Sequence, residues 1–326
     1  MGTIRRMALE NVFSWSKSRD EQFRECQRKY YYDKYLSWGG WDASSPRLTR
    51  LAYIYKNLKN RWAWKGETVH HIIEDVLKSY RSGRPVTLED ALTRLTEQMR
   101  AHYRASKAKK YMDDPKRHPG LFEHEYAVAV PDAKWKDLHD TSADCLRNFY
   151  GSELFKELVE EDKTSWLIIE DLEEFEHDGA RVYVKLDFAR RKGDTVEIYD
   201  WKTGKNDAEG ARVQIGAYAL YAMGKWGVPL DRVRAYLFNL STRSPRPSPQ
   251  ALDEGLIEET RSFMSRSIAG MRQLLEDPAR NIPKPEEVFA HTEDRNYCAR
   301  CNFYKICDKY NPSLRPDRAA TLTGRA

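Results

Sequence analysis

Residues 66–80, GETVHHIIEDVLKSY, place Val69, Ile72, Ile73, Val76, Leu77 and Tyr80 on one stripe at helical spacing and predict an amphipathic helix. Upstream, residues 14–36 read as a loop entering a helix, dense in basic and aromatic side chains. After a break at Gly39 and Gly40 a second basic-aromatic stretch runs to Trp64. From about 87 to 163 the pattern is polar, charged and mostly helical, with breaks at Asp113–Pro115 and near Pro131. The period then changes. Residues 166–176, 181–191 and 195–202 predict three successive strands, joined by turns at Asp178–Gly179 and Gly193–Asp194. On the second, Val182, Val184, Leu186 and Phe188 alternate with Tyr183, Lys185, Asp187 and Ala189. On the third, Val196, Ile198, Asp200 and Lys202 share one face, because successive side chains point to opposite sides of a strand. A helix over about 207–226, a strand at 233–240, a Pro/Ser/Arg loop at 242–249 and a helix at 254–277 follow. A cysteine-rich stretch comes next, and residues 312–326 are expected to be a flexible tail. Meander strands, a helix and a further strand predict an α/β core carrying helical additions.

At 326 residues and 40% hydrophobic content the chain can bury a substantial core, which excludes a disordered protein. A net charge of +5 is compatible with nucleic acid without demanding it. The 19 Tyr and 9 Trp, several beside Arg or Lys, suit base stacking as well as they suit ordinary cores and rims. No apolar run approaches the roughly 20 residues that cross a bilayer, so no membrane partner is expected. The N-terminal MGTIRRMALENVFSWSKS lacks the apolar stretch of a signal peptide, and Arg6 does not fit a myristoylation pattern at Gly2. A cytoplasmic location is the resulting expectation. There thiols stay reduced, and closely spaced cysteines point to metal or catalysis before disulfides.

Candidate chemistry gathers on the strands. Asp200-Trp201-Lys202 sets a carboxylate and an ammonium side by side on one face. The first can bind a divalent cation; the second can orient water or steady charge on a phosphate. Such a triplet also arises by chance on solvated strands. Asp187 sharpens the reading, because the turn in RRKGDTVEIY folds it back toward Asp200, and two converging carboxylates call for Mg²⁺ or Mn²⁺. His70 lies at the border of the apolar stripe, where a packed, hydrogen-bonded histidine is the commoner outcome and a ligand the functional one. Gln214 and Tyr218, four apart on the following helix, can reach a phosphate or a base, or can pack on the sheet.

Near the C-terminus, Cys298-x-x-Cys301 and Cys307 form a compact thiolate group, one short of a closed site, and Cys26 is the candidate fourth. Zinc and an iron–sulfur cluster satisfy that count equally. Cys145 stands apart and reads as a buried structural thiol. Arg24, Arg28 and Lys29 around Cys26 either face phosphates or make a solvated helix face.

Taken together, Gly66-x-x-x-His70, Asp187, Asp200-x-Lys202 and Gln214-x-x-x-Tyr218 resemble the RecB-like branch of the PD-(D/E)XK nuclease superfamily, over nearly the whole chain outside 81–165. The resemblance implies a restriction-endonuclease-like α/β fold, a mixed sheet flanked by helices, with a helical insertion at 81–165 and one nuclease domain over 1–326. It implies His70, Asp187 and Asp200 as metal ligands, with the Trp201 carbonyl a further one and Glu170 the candidate acid of the first strand. Lys202 becomes the catalytic lysine, and Gln214 with Tyr218 the substrate-side pair. One departure is Val184, where the family usually has glycine. An early cysteine in C-x-R-K-Y-Y with three late ones is similar to the iron–sulfur subgroup, which includes CRISPR-associated Fe–S nucleases and the nuclease of the AddAB repair complex. Gln27 departs from the proline usual there. That subgroup implies a [4Fe-4S] clasp formed by residues 14–36 and 283–311, with zinc as the alternative.

Three functions follow as expectations. The first is a Mg²⁺- or Mn²⁺-dependent DNA nuclease, an exonuclease on single strands or ends, serving repair, recombination or defence. The second is a non-catalytic DNA-end- or partner-binding module that kept the fold. The third is a nuclease active only beside a helicase or CRISPR/defence partner. The chain has no G-x-x-x-x-G-K-[S/T] phosphate loop, so unwinding driven by ATP would fall to another chain.

Overall fold

The computed structural model describes residues 10–204 and 208–314, with side chains in the last segment from residue 211 onward. The expectations about Gly2, Arg6 and the tail beyond Leu314 lie outside the described residues, as does the predicted helix start at 207. In chain order the elements begin with β1 (Ser14–Trp15), α1 (Lys17–Glu25), α2 (Gln27–Tyr31) and α3 (Arg47–Lys56). The helical middle comprises α4 (Arg61–Arg81), α5 (Leu88–Lys107), α6 (Phe122–Glu125), α7 (Asp132–Tyr150) and α8 (Glu153–Glu160). The strands β2 (Trp166–His177), β3 (Ala180–Lys192) and β4 (Thr195–Lys202) then precede α9 (Ala208–Trp226), β5 (Val233–Asn239), β6 (Ser248–Gln250) and α10 (Glu254–Arg272). A hairpin of β7 (Leu275–Asp277) and β8 (Ile282–Pro283) leads to α11 (Arg295–Ala299).

The chain divides into two compact units: residues 1–56, 176–182 and 264–326, and residues 57–175 with 183–263. The second contains the α/β core. Its β3 pairs with β2 and, antiparallel, with β4; β4 runs parallel to β5, and β5 antiparallel to β6. The parallel step is the consequence of α9, since two parallel strands need a crossover rather than a hairpin. The sheet is therefore mixed and flanked by helices, as the family resemblance implies. Residues 81–165 are an integral layer of its core: Leu95, Met99, Leu146, Phe149, Leu154 and Leu158 share one buried cluster with Ile72, Ile73, Trp166, Phe188 and Trp201. Local chemistry sets the helix starts. Asn60 accepts from the amides of Trp62 and Ala63, which begins α4 five residues before the predicted helix start at residue 66. Thr87 caps α5 through the amide of Asp90, and Ser152 caps α8 through that of Phe155.

Arg190 is a buried cation of this unit. It is 1% exposed, with Nε 2.8 Å from Glu197, Nη1 2.7 Å from Glu161 and Nη2 3.2 Å from Glu157. A guanidinium is tolerated there because its donors meet carboxylates.

In the first unit, β1 pairs parallel with Arg181 and Val182, and Trp15 Nε1 donates to Ser267 Oγ at 2.8 Å. A two-residue strand carries no periodicity, so the sequence pattern misses it. The helix expected over 254–277 stops at Arg272. Pro278 biases the preceding residue away from helix, and the Asp277 side chain accepts from the amides of Ala279 and Arg280, turning the chain into the β7–β8 hairpin. Arg28, considered above as a phosphate contact, is instead 3% exposed: it donates to the Phe289 carbonyl at 3.0 Å and pairs with Glu286 and Asp308.

Candidate functional site

The β3–β4 ladder runs from Lys192↔Thr195 to Phe188↔Tyr199, and Asp187 and Asp200 are the next residue on each strand. There the amide of Trp201 donates to Asp187 Oδ2 at 2.7 Å, so a carboxylate takes the role that a strand carbonyl has elsewhere in the ladder. Alternation along β4 sends the Trp201 ring into the core against Phe149, Phe188 and Phe238, and leaves Asp200 and Lys202 together on the opposite face.

Glu170 enters from β2. Its φ of +56° is a left-handed conformation that costs a non-glycine residue about 1–3 kcal/mol. The inversion breaks the strand's alternation: Ile168, Ile169 and Glu170 are buried in succession. His70, on α4, holds Nδ1 at 2.9 Å from Glu170 Oε1 and 3.3 Å from Asp187 Oδ1. These three side chains offer one nitrogen and two oxygens within 4.8 Å of one another. Burial alone would lower the His70 pKa; the charges and hydrogen bonds of Asp187 and Glu170 outweigh it and raise it to about 10. In this geometry a proton on Nδ1 supplies the positive charge between the two acids. The same donor set, two carboxylate oxygens with one imidazole, can hold a divalent cation.

Asp200 stands outside that trio and is the centre of a second group. Its Oδ2 lies 2.5 Å from Lys202 Nζ, and its Oδ1 lies 3.2 Å from both Gln214 Nε2 and the Tyr218 hydroxyl. Gln214 also donates to Tyr218 at 2.6 Å and accepts from Lys202 at 3.4 Å. The Tyr218 hydroxyl has one proton to give and two acceptors, Asp200 and the Lys185 carbonyl at 2.7 Å. Burial, then the charge of Asp187, pushes Asp200 up to about 6 against the opposing pull of Lys202. Every polar residue singled out on the strands and on α9 therefore falls into one of two adjoining groups, joined by the Asp187–Asp200 repulsion.

Two participants carry no signal in the sequence. Lys185 pairs with Glu170 Oε2 at 2.7 Å, although it reads as one more polar position on β3. Thr203 is the other. A Cβ built on Gly66 would stand 3.1 Å from Thr203 Oγ1, so the glycine of Gly66-x-x-x-His70 lets α4 approach the end of the Asp200-x-Lys202 strand.

The thiols form a separate centre in the first unit. Helix α1 breaks at Cys26, whose φ of −164° and ψ of 108° are extended, and Cys26 then caps α2 by accepting from the Lys29 amide at 3.4 Å. Cys26, Cys298, Cys301 and Cys307 line one cavity with Lys29, Tyr32, Tyr297, Tyr304 and Tyr310. Burial pushes the Cys301 thiol up to about 12 and raises Cys307 as well, so without a cation these sulfurs stay protonated. Among the described residues, three metal-binding atoms meet within 4.8 Å only as His70–Glu170–Asp187 and His291–Cys307–Asp308; no three of the four sulfurs do. Cys145 is buried and lies apart in α7.

No curated protein matches the chain. A candidate exonuclease from Eubacterium rectale is similar at 13% identity over 64% of this chain and 89% of that one, with a TM-score of 0.31, too loose a likeness to carry an argument. The model of one family, the PD-(D/E)XK nuclease superfamily, matches residues 14–308. That span runs from β1 past Cys307 and includes both carboxylate groups, Lys202 and all four clustered cysteines. On that breadth the chain belongs to the PD-(D/E)XK nuclease superfamily.

Proposed function

We propose that the chain is a Mg²⁺- or Mn²⁺-dependent DNA nuclease of the RecB-like, iron–sulfur kind, acting as an exonuclease on single strands or ends. The observation that carries this reading is the juxtaposition of the His70–Glu170–Asp187 donors with a buried Asp200 paired at 2.5 Å with the half-buried Lys202. A divalent cation held there supplies positive charge to a scissile phosphate and makes a neighbouring water a better nucleophile. His70, Asp187 and Glu170 would hold it, with Asp200 and the Trp201 carbonyl as further ligands. Lys202 is anchored by Asp200 and Gln214, which fixes the ammonium where it orients the attacking water. Gln214 and Tyr218 keep Asp200 aimed, and Gln214 meets the substrate from the α9 side. The preference for ends and single strands rests on the resemblance to the RecB-like branch, with a helicase or CRISPR/defence partner where longer duplex is to be consumed.

The cysteines hold a [4Fe-4S] cluster in this reading. A lone zinc with Zn–S of about 2.3 Å draws four sulfurs to roughly 3.8 Å from one another, whereas a cubane keeps them farther apart. One early cysteine in C-x-R-K-Y-Y with three late ones, the pattern similar to the iron–sulfur subgroup, favours the cluster over zinc.

A time course on end-labelled single- and double-stranded DNA with Mg²⁺ or Mn²⁺ tests the function. The wild type is expected to cut, and Lys202→Ala to bind the same DNA without cutting it. Binding without cleavage by the wild type in either metal would replace the nuclease by a DNA-end- or partner-binding module.

A further inference from the structure

We infer that Trp62 is a stacking platform for an unpaired base of the substrate strand, set on the helix that carries His70; the inference rests on the nuclease reading. Trp62 is 60% exposed, an unusual place for the largest apolar side chain. It is also held in position. The Asn60 side chain caps its amide at 3.0 Å, and the Arg61 guanidinium lies 5.0 Å from the centre of its ring. Arg61 in turn is fixed by Glu123, which accepts from its backbone amide at 3.1 Å and from its guanidinium at 3.3 Å. One face of the indole thus carries a cation, and the ring is left largely open to solvent.

Its placement ties the ring to the site. Trp62, Gly66 and His70 are four apart and form one ridge of α4. Gly66, the middle member, is where the helix meets Thr203, directly after Lys202. Eight residues of helix put Trp62 about 12 Å from His70 along the axis, a reach of three or four stacked nucleotides at ~3.4 Å each. A strand whose phosphate lies at His70, Asp187 and Lys202 and which follows the ridge meets Trp62 with a base. Every base has a π-face, so such a platform serves any sequence, and Arg61 adds attraction for the backbone. A base stacked inside a duplex offers no free face, which makes the contact selective for single strands.

The test measures anisotropy of fluorescein-labelled dT12 and of a blunt 12-bp duplex in Ca²⁺, and Mn²⁺-dependent cleavage, for wild type, Trp62→Ala and Trp62→Phe. Trp62→Ala is expected to weaken dT12 binding by about 5-fold or more, to raise KM by a similar factor with little change in kcat, and to leave the duplex unaffected. Trp62→Phe restores most of the loss. Equal binding of dT12 by Trp62→Ala, an equal loss on the duplex, or no rescue by Phe overturns the inference. A wild type that binds dT12 through Trp62 and cuts nothing overturns the nuclease reading and leaves the stacking site standing.

Discussion

The backbone amide of Trp201 donates to the carboxylate of Asp187, 2.7 Å away, so one acid both completes the edge of a β-ladder and faces His70. The two roles use different oxygens, Oδ2 for the amide and Oδ1 for the imidazole. Asp187→Asn can keep the first role with its carbonyl oxygen while it loses the charge. The expected outcome is a variant that melts within a few degrees of wild type and cleaves at least about 100-fold more slowly. Thermal melting and a cleavage assay on the same preparation check it; near wild-type cleavage would remove Asp187 from the site.

Metal binding should release protons. In the metal-free protein His70 has a pKa raised to about 10, so the stability it adds is full below its ordinary value near 6.5 and fades as pH climbs toward 10. A cation at the trio must displace that proton. Between about pH 6.5 and 9, Mn²⁺ affinity is expected to rise about tenfold per pH unit, with about one proton released. Asp200, raised to about 6, adds a second proton below that pH if it joins the shell. Calorimetry in buffers of different ionisation enthalpy reads the count, and a heat independent of buffer would contradict it.

Gly66→Ala separates stability from activity. Alanine favours a helix interior by about 1 kcal/mol over glycine, but its Cβ would press on Thr203 Oγ1 at 3.1 Å. The variant is expected to melt no lower than wild type and to lose several-fold in kcat. Adding Thr203→Ala removes the obstructing oxygen and should recover the rate; a double variant as slow as the single one would place the fault elsewhere.

The buried cation has a large expected effect. Arg190→Met strands Glu197, Glu161 and Glu157 around an apolar side chain and should destabilise the fold by about 3–5 kcal/mol. Glu197→Gln in that background is expected to return part of the loss, as denaturant melts would show. A drop below about 1 kcal/mol for Arg190→Met would mean that the network contributes little.

Anaerobically purified protein should be brown and carry about four irons per chain. Cys26→Ser should lose the colour and melt earlier. A colourless preparation with one zinc would exchange the cluster for a zinc site and leave the nuclease reading intact.

Much of this protein is legible in its residue pattern. The switch from helical to alternating period at residue 166, the two Gly-containing turns and the return to a helix after Lys202 specify three strands and a crossover, because each is written in neighbouring residues. The D-x-K triplet places Asp200 and Lys202 on one face by the same local rule. Asp187 is brought beside Asp200 by a hairpin whose turn is also local. His70 is half legible: its place at the border of a stripe is periodicity, but its partners come from β2 and β3.

Other features rest on packing alone. The left-handed backbone at Glu170 has no glycine to announce it, since the strain is held by the buried strand around it. Lys185 enters the site only because Glu170 turns inward to meet it. Arg28 looks like a surface cation in FRECQRKYYY and becomes a buried one, because Asp308 and Glu286, far along the chain, fold against it. Sequence alone determined the longer helices and strands and which side chains share a face along β3 and β4, because those follow from local periods of 2 and 3.6 residues. Tertiary structure decided which charges meet and which are buried, because those depend on distances between elements that no local period encodes.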